Sequence, residues 1–152
     1  QGADFLAEAE QAGFGSVAVN HGMLPRSGSL GLQRAADALL VAVFNNERRK
    51  GVLTGKLLEY LMAGRPVLCC VTGKQPNSAA RQLVEQVECG FCFEQAQAEA
   101  DAPALKAYIL ALYKARFEGA PYPYRPNAEA LAQYGYAHIA QRFAGLIEDV
   151  AK

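Results

Sequence analysis

Neither sign of charge dominates this chain: 15 lysines and arginines balance 15 aspartates and glutamates, giving a formal net charge of zero over 152 residues. That balance excludes the basic surface of a nucleic-acid binder, so any ligand must be recognised by local geometry rather than by a long-range field. Long apolar runs are also missing. None approaches the ~20 residues needed to span a bilayer, and no basic stretch followed by an apolar one opens the chain, so the segment reads as soluble. There is no internal repeat. No G-x-G-x-x-G fingerprint follows a strand, which ranks a Rossmann-type dinucleotide domain last among the readings.

Cysteine is sparse, with four residues. Cys89-Gly-Phe-Cys92 has redox or zinc spacing, and Cys69-Cys70 could complete a four-sulfur set. Adjacent residues of a strand point to opposite faces, however, and a strand over Gly90–Phe93 also separates Cys89 from Cys92. No helix N-terminus is available to lower the pKa of the first thiol. The expectation is buried structural thiols, no metal and a reducing, cytoplasmic setting.

What is present is apolar content, 51% of residues, arranged as alternating strands and helices around one core. A helix over Asp4–Gln11 ends at Gly13, and Gly15–Asn20 reads as a strand. Ser29 reads as the N-cap of a helix over Leu30–Ala36. Ala38–Phe44 and Pro66–Val71 are nearly continuous apolar strands, which implies cover on both faces. Asn77 reads as the cap of a helix over Ser78–Val87, and Gly90–Phe93 reads as a fourth strand. Such alternation predicts a parallel sheet in a three-layer α/β/α, Rossmann-like arrangement. Residues 1–94 form this core, and residues 95–152 add a helical segment. In that segment a helix over Pro103–Glu118, a connector Pro121–Pro126 and a final helix over Asn127–Val150 are expected.

Chemistry concentrates between Gly51 and Leu68. Thr54 can cap a helix whose stripe is Leu57, Leu58, Leu61 and Met62, and Gly64-Arg65-Pro66 stops it. The helix N-terminus beside Thr54 and Gly55 offers free N–H groups and a positive dipole end to a diphosphate, with Lys56 adding a mobile charge. Lys56 and Glu59 fall a turn apart on the face opposite the leucines, where Glu59 could accept two hydroxyls of a ribose. Alone, a Lys and a Glu three apart make only a solvated face, contributing about 0.2–0.5 kcal/mol. Their company of Thr-Gly-Lys, Glu-Tyr-Leu and Gly-x-Pro-Val before an apolar strand favours the nucleotide site. Ligands of parallel sheets sit beyond the carboxyl ends of the strands, where His21, Arg48 and Lys50 also fall as further candidates to meet phosphate.

The run Gly55-Lys-Leu-Leu-Glu-Tyr-Leu-Met-Ala-Gly-Arg-Pro-Val67 resembles the Lys-Leu-x-Glu-Tyr-Leu-x-x-Gly-x-Pro-Val motif of GT-B glycosyltransferases of the bacterial family 4 (group 1) type. The motif lies in their C-terminal, donor-binding domain. The resemblance runs from Gly15 to about Glu94. It implies diphosphate contact at Thr54, Gly55 and Lys56, ribose binding by Glu59, and nucleobase contact by the loop at Gly22, Met23 and Leu24. It further implies a nucleoside-diphosphate sugar (UDP or GDP) as donor, with no metal or other cofactor. The acceptor, such as a polysaccharide or glycolipid precursor, would be bound by an N-terminal domain that this chain does not contain. The expected setting is cytoplasmic, including the cytoplasmic face of the membrane.

The chain opens at Gln1-Gly-Ala-Asp without the strand-helix-strand unit that begins the family's C-terminal domain, so it reads as a fragment, inactive alone and prone to weak homodimerisation. In one respect it departs from the pattern. Retaining members usually carry a second glutamate eight positions before the ribose-binding one, where this chain has Gly51. The catalytic group and the stereochemical outcome are therefore unassigned. A non-catalytic Rossmann-like interaction or regulatory module is the alternative, since fold alone does not define function.

Overall fold

The computed structural model describes residues 4–45 and 53–150. The chain divides into two compact units, 1–32 and 33–152.

In the first unit, helix α1 (Phe5–Gln11) begins where the Asp4 carboxylate accepts the N–H groups of Leu6 and Ala7. Residues 15–20 do not form the expected strand. Gly15–Val17 make a single 3₁₀ turn and Ala18 is extended. A strand is stable only through neighbours that take its hydrogen bonds, and among the described residues the sheet holds three strands, none of them in this stretch. Helix α2 (Arg26–Ala35) crosses the boundary between the units. It starts earlier than expected because Pro25 is preorganised for a helix start, and the Ser29 N–H donates to the Pro25 carbonyl from inside the helix rather than from its cap.

The second unit is α/β. Strands β1 (Leu39–Phe44), β2 (Val67–Thr72) and β3 (Gly90–Glu94) form a parallel sheet in the order β1-β2-β3, with Val41 opposite Cys69 and Cys69 opposite Cys92. Helix α3 (Gly55–Ala63) connects the first two strands and α4 (Ala79–Val87) the second two. One face of the sheet packs Val41, Val43, Val67, Cys69, Val71 and Cys92 against Leu57 and Leu61 of α3 and Leu83, Val84 and Val87 of α4. Each fully buried leucine contributes about 1.5–3 kcal/mol. Gly90 is required where β3 enters the sheet, because a Cβ there would lie 2.0 Å from the Val67 carbonyl oxygen.

Cover of the opposite face is partial. Helix α5 (Ala98–Phe117) lies against β3, with Tyr108 6.0 Å from Phe91 between ring centroids, while Leu40 and Phe44 of β1 remain 63% and 64% exposed. Among the described residues, the helical cover of this face is laid along β3 by α5. Pro103 is accommodated inside the first turns of α5, so the helix begins five residues before the expected start. The final helix is two: α6 (Ala128–Ala132), whose Ala130 enters the core, and α7 (Tyr136–Val150), separated around Gly135. The proline-tyrosine connector lies against the unit. Tyr122 donates to the Asp37 carbonyl at 3.2 Å, Tyr124 packs on the core, and the Asn127 N–H donates to Val87 at 2.8 Å.

Candidate functional site

Because the sheet is parallel and α3 runs back between β1 and β2, the α3 N-terminus lies at the carboxyl end of the strands. Thr54 is its N-cap: extended backbone precedes the helix, and Oγ1 accepts the Leu57 N–H at 3.3 Å. The amides of Gly55 and Lys56 come before any intrahelical acceptor and point out of the helix end. A Cβ at Gly55 would meet nothing within 4 Å, so no described side chain packs over that position. Lys56 is exposed and Glu59 half-buried on the side away from the buried Leu57 and Leu61. Met62, expected in the same apolar stripe, is instead largely exposed because it lies past the edge of the sheet-facing side. The helix ends at Gly64, whose φ of 68° is the left-handed conformation that glycine adopts without strain.

Glu59 is not an isolated surface carboxylate. The Gln33 side-chain amide, from the end of α2, donates to its Oε1 at 2.6 Å. Sequence reading missed this partner, because the two residues come from different helices and no local spacing links them. Thr54, Gly55, Lys56 and Glu59 are thus collected on one helix end and its outward face. His21, Gly22, Met23 and Leu24 belong to the first unit, in the loop before α2. There the Gly22 N–H, at φ 64°, donates to Asn20 Oδ1 at 2.9 Å, and Met23 is fully exposed. Arg48, Lys50 and Gly51 lie outside the described residues.

A second polar cluster, also unforeseen, shapes the carboxyl end of the sheet. Glu94 ends β3 fully buried, and its two carboxylate oxygens accept the N–H groups of Asn77 and Ser78, each at 2.8 Å. Arg81 Nε stands 3.1 Å from Glu94, and its Nη2 pairs with Asp101, which in turn accepts the Glu94 N–H at 2.7 Å. Burial opposes ionisation of Glu94, but the Ser78 and Asn77 hydrogen bonds and the Arg81 charge outweigh it and hold the carboxyl below its ordinary range. Ser78, not Asn77, caps α4, through Oγ accepting the Arg81 N–H. Asn77 is used instead as a left-handed turn residue, φ 58°. Glu94 and Asp101 each pair with Arg81 and each accept a backbone N–H, which ties the β3 end to the α4 start.

The four cysteines are free thiols. Cys69 and Cys92 do meet, as register partners on neighbouring strands that share a side-chain hydrogen bond. That bond, reinforced by burial, pushes the Cys92 thiol up, and burial pushes Cys89 up to about 11. Among the described residues no three His, Cys, Asp or Glu side chains are grouped as metal ligands, and no helix is long and apolar enough to cross a membrane.

Set against protein-family models, curated proteins and solved structures, the chain matches none of them. The fold places it in the class of α/β proteins with a Rossmann-like parallel sheet. Its particular function rests on the residues of the site.

Proposed function

We propose that this chain is the donor-binding part of a GT-B-type glycosyltransferase, taking a nucleoside-diphosphate sugar at the α3 N-terminus. The observation that carries the reading is the union of the α3 N-terminus at Gly55 and Lys56, the Lys56 charge and the Glu59 carboxylate one turn on, all at the carboxyl end of a parallel sheet. The amides and Lys56 would take the diphosphate, and Glu59 the ribose hydroxyls. Assignment of the base to Gly22, Met23 and Leu24 rests on the resemblance alone.

In this reading the chain stabilises the departing nucleoside diphosphate electrostatically. The helix dipole and Lys56 supply the positive potential, so no metal is assigned a part. The acceptor and any catalytic base belong to a second domain, so this chain alone transfers no sugar, and turnover by it would contradict the two-domain reading. Affinity without a closing domain is expected at about 0.1–1 mM.

Calorimetric titration with UDP and GDP tests the reading together with Glu59→Gln. The substitution should weaken nucleotide binding by about 1–2 kcal/mol, since a neutral amide accepts a diol less well than a carboxylate. The melting temperature should hold. A large fall in it with unchanged affinity would make Glu59 a structural residue.

A further inference from the structure

We propose that Cys69 and Cys92 form a reversible oxidation site, which hydrogen peroxide closes to a disulfide joining β2 to β3 within the core. The pairing is not the one that the C-x-x-C spacing of Cys89 and Cys92 suggests. Cys69 and Cys92 stand opposite each other in the parallel register, both belong to the buried core on one face of the sheet, and their sulfurs already share a hydrogen bond. Register partners on neighbouring strands lie about 4.7–4.9 Å apart between Cα atoms, inside the ~4.4–6.8 Å that a disulfide spans. Cys89 lacks this arrangement: it precedes β3, and its Sγ donates to the Val84 carbonyl of α4 at 3.9 Å. Cys70 follows Cys69 in β2 and so points to the opposite face.

The bond between the two thiols sets their roles. Cys92 donates to the Cys69 sulfur, and that hydrogen bond holds the Cys69 thiol below its ordinary range, against burial and the Glu94 charge and with the Arg81 charge in support. Cys69 is therefore the attacking group. Its thiolate takes one oxygen of the peroxide, giving a sulfenic acid and hydroxide, and the hydroxide recovers the proton that Cys69 released to form the first water. The Cys92 sulfur then attacks the Cys69 sulfur, the S–O bond breaks, and the hydroxyl leaves with the Cys92 proton as the second water. Two thiols lose two electrons, and one peroxide is reduced to two waters. Access suits an oxidant little larger than water: among the described residues β3 is an outer strand of the sheet, so local opening of that strand reaches Cys92 without unfolding the core.

The test is exposure of the folded full chain, as wild type and as Cys70→Ser, to millimolar hydrogen peroxide, followed by blocking of the remaining thiols with N-ethylmaleimide in denaturant. Chymotrypsin cuts after Phe91 and so separates Cys89 from Cys92 before mass spectrometry. A linked Cys69–Cys92 peptide is expected, with the free thiols of Cys70→Ser falling from three to one and returning to three on treatment with dithiothreitol. In Cys92→Ala the linked peptide should be absent, and dimedone should label Cys69 as a sulfenic acid. Linkage through Cys89 instead, a linked peptide that forms only when peroxide is added in denaturant, or three unmodified thiols in Cys70→Ser after prolonged exposure overturns the proposal.

Discussion

Replacing Glu94 by Gln keeps the shape of the β3 terminus and removes its charge. Three interactions change at once. Arg81, only 13% exposed at its side chain, loses a partner that is completely buried. The Asn77 and Ser78 amides, which each give a 2.8 Å bond to one carboxylate oxygen, must share a single amide oxygen, and the new NH₂ faces a donor. Breaking a buried charge pair costs about 3–5 kcal/mol. Arg81 retains Asp101, so the lower end applies, about 3 kcal/mol. For a chain of this length that corresponds to a fall in Tm of about 6–12 °C. Exposed Glu85, which pairs with Arg81 from one turn away, is the control, and Glu85→Gln should change stability by less than about 0.5 kcal/mol. The pH dependence follows from linkage. The folded Glu94 carboxyl titrates below its ordinary value of 4.5, so its stabilisation is complete above that value and is lost as pH falls through the folded pKa. Differential scanning calorimetry at pH 7, 5 and 3.5 should therefore show the gap between wild type and Glu94→Gln narrowing at the lowest pH. A Tm change under about 2 °C at pH 7, or a gap that widens on acidification, would refute the assignment of this cluster as the clasp between β3 and α4.

Thiol chemistry and self-association give two further outcomes. Cys70 is half-buried, whereas Cys69, Cys89 and Cys92 are buried, so an aromatic disulfide reagent at pH 8 should titrate one thiol slowly in the native protein and four in denaturant. Cys70→Ser should abolish the native reaction, and rapid reaction of two or more thiols would show that the core opens readily. On α7, Phe143, Leu146 and Ile147 form an apolar stripe that is more than 60% exposed at each position, so sedimentation velocity should show concentration-dependent association that Phe143→Asp removes. A wild-type monomer at every concentration would contradict it.

The legible parts of the fold were those with strong local signals. Continuous apolar runs gave β1, β2 and β3 to within about a residue, and Thr54 with Gly64 bracketed α3 as its cap and stop. Expectations failed where long-range context decides. Gly15–Asn20 has the composition of a strand but pairs with none among the described residues, and Leu40 and Phe44 read as doubly covered though both are more than 60% exposed. Asn77 and Ser78 are both good caps by type. Glu94, sixteen and seventeen residues away, takes both of their amides, a contact that no local spacing reveals, and Ser78 alone turns its side chain to the α4 start. Gln33 was invisible for the same reason: its significance comes from meeting Glu59 across 26 residues of chain.

The central claim is the nucleotide site on α3, and chemical-shift mapping on the ¹⁵N-labelled chain tests it most directly. Addition of UDP or GDP to about 5 mM, well above the expected Kd, should shift the amides of Gly55, Lys56 and Leu57 and broaden outward through Glu59, with Lys56→Ala reducing the response. Shifts confined to other parts of the chain, or none for either nucleotide, would contradict the account.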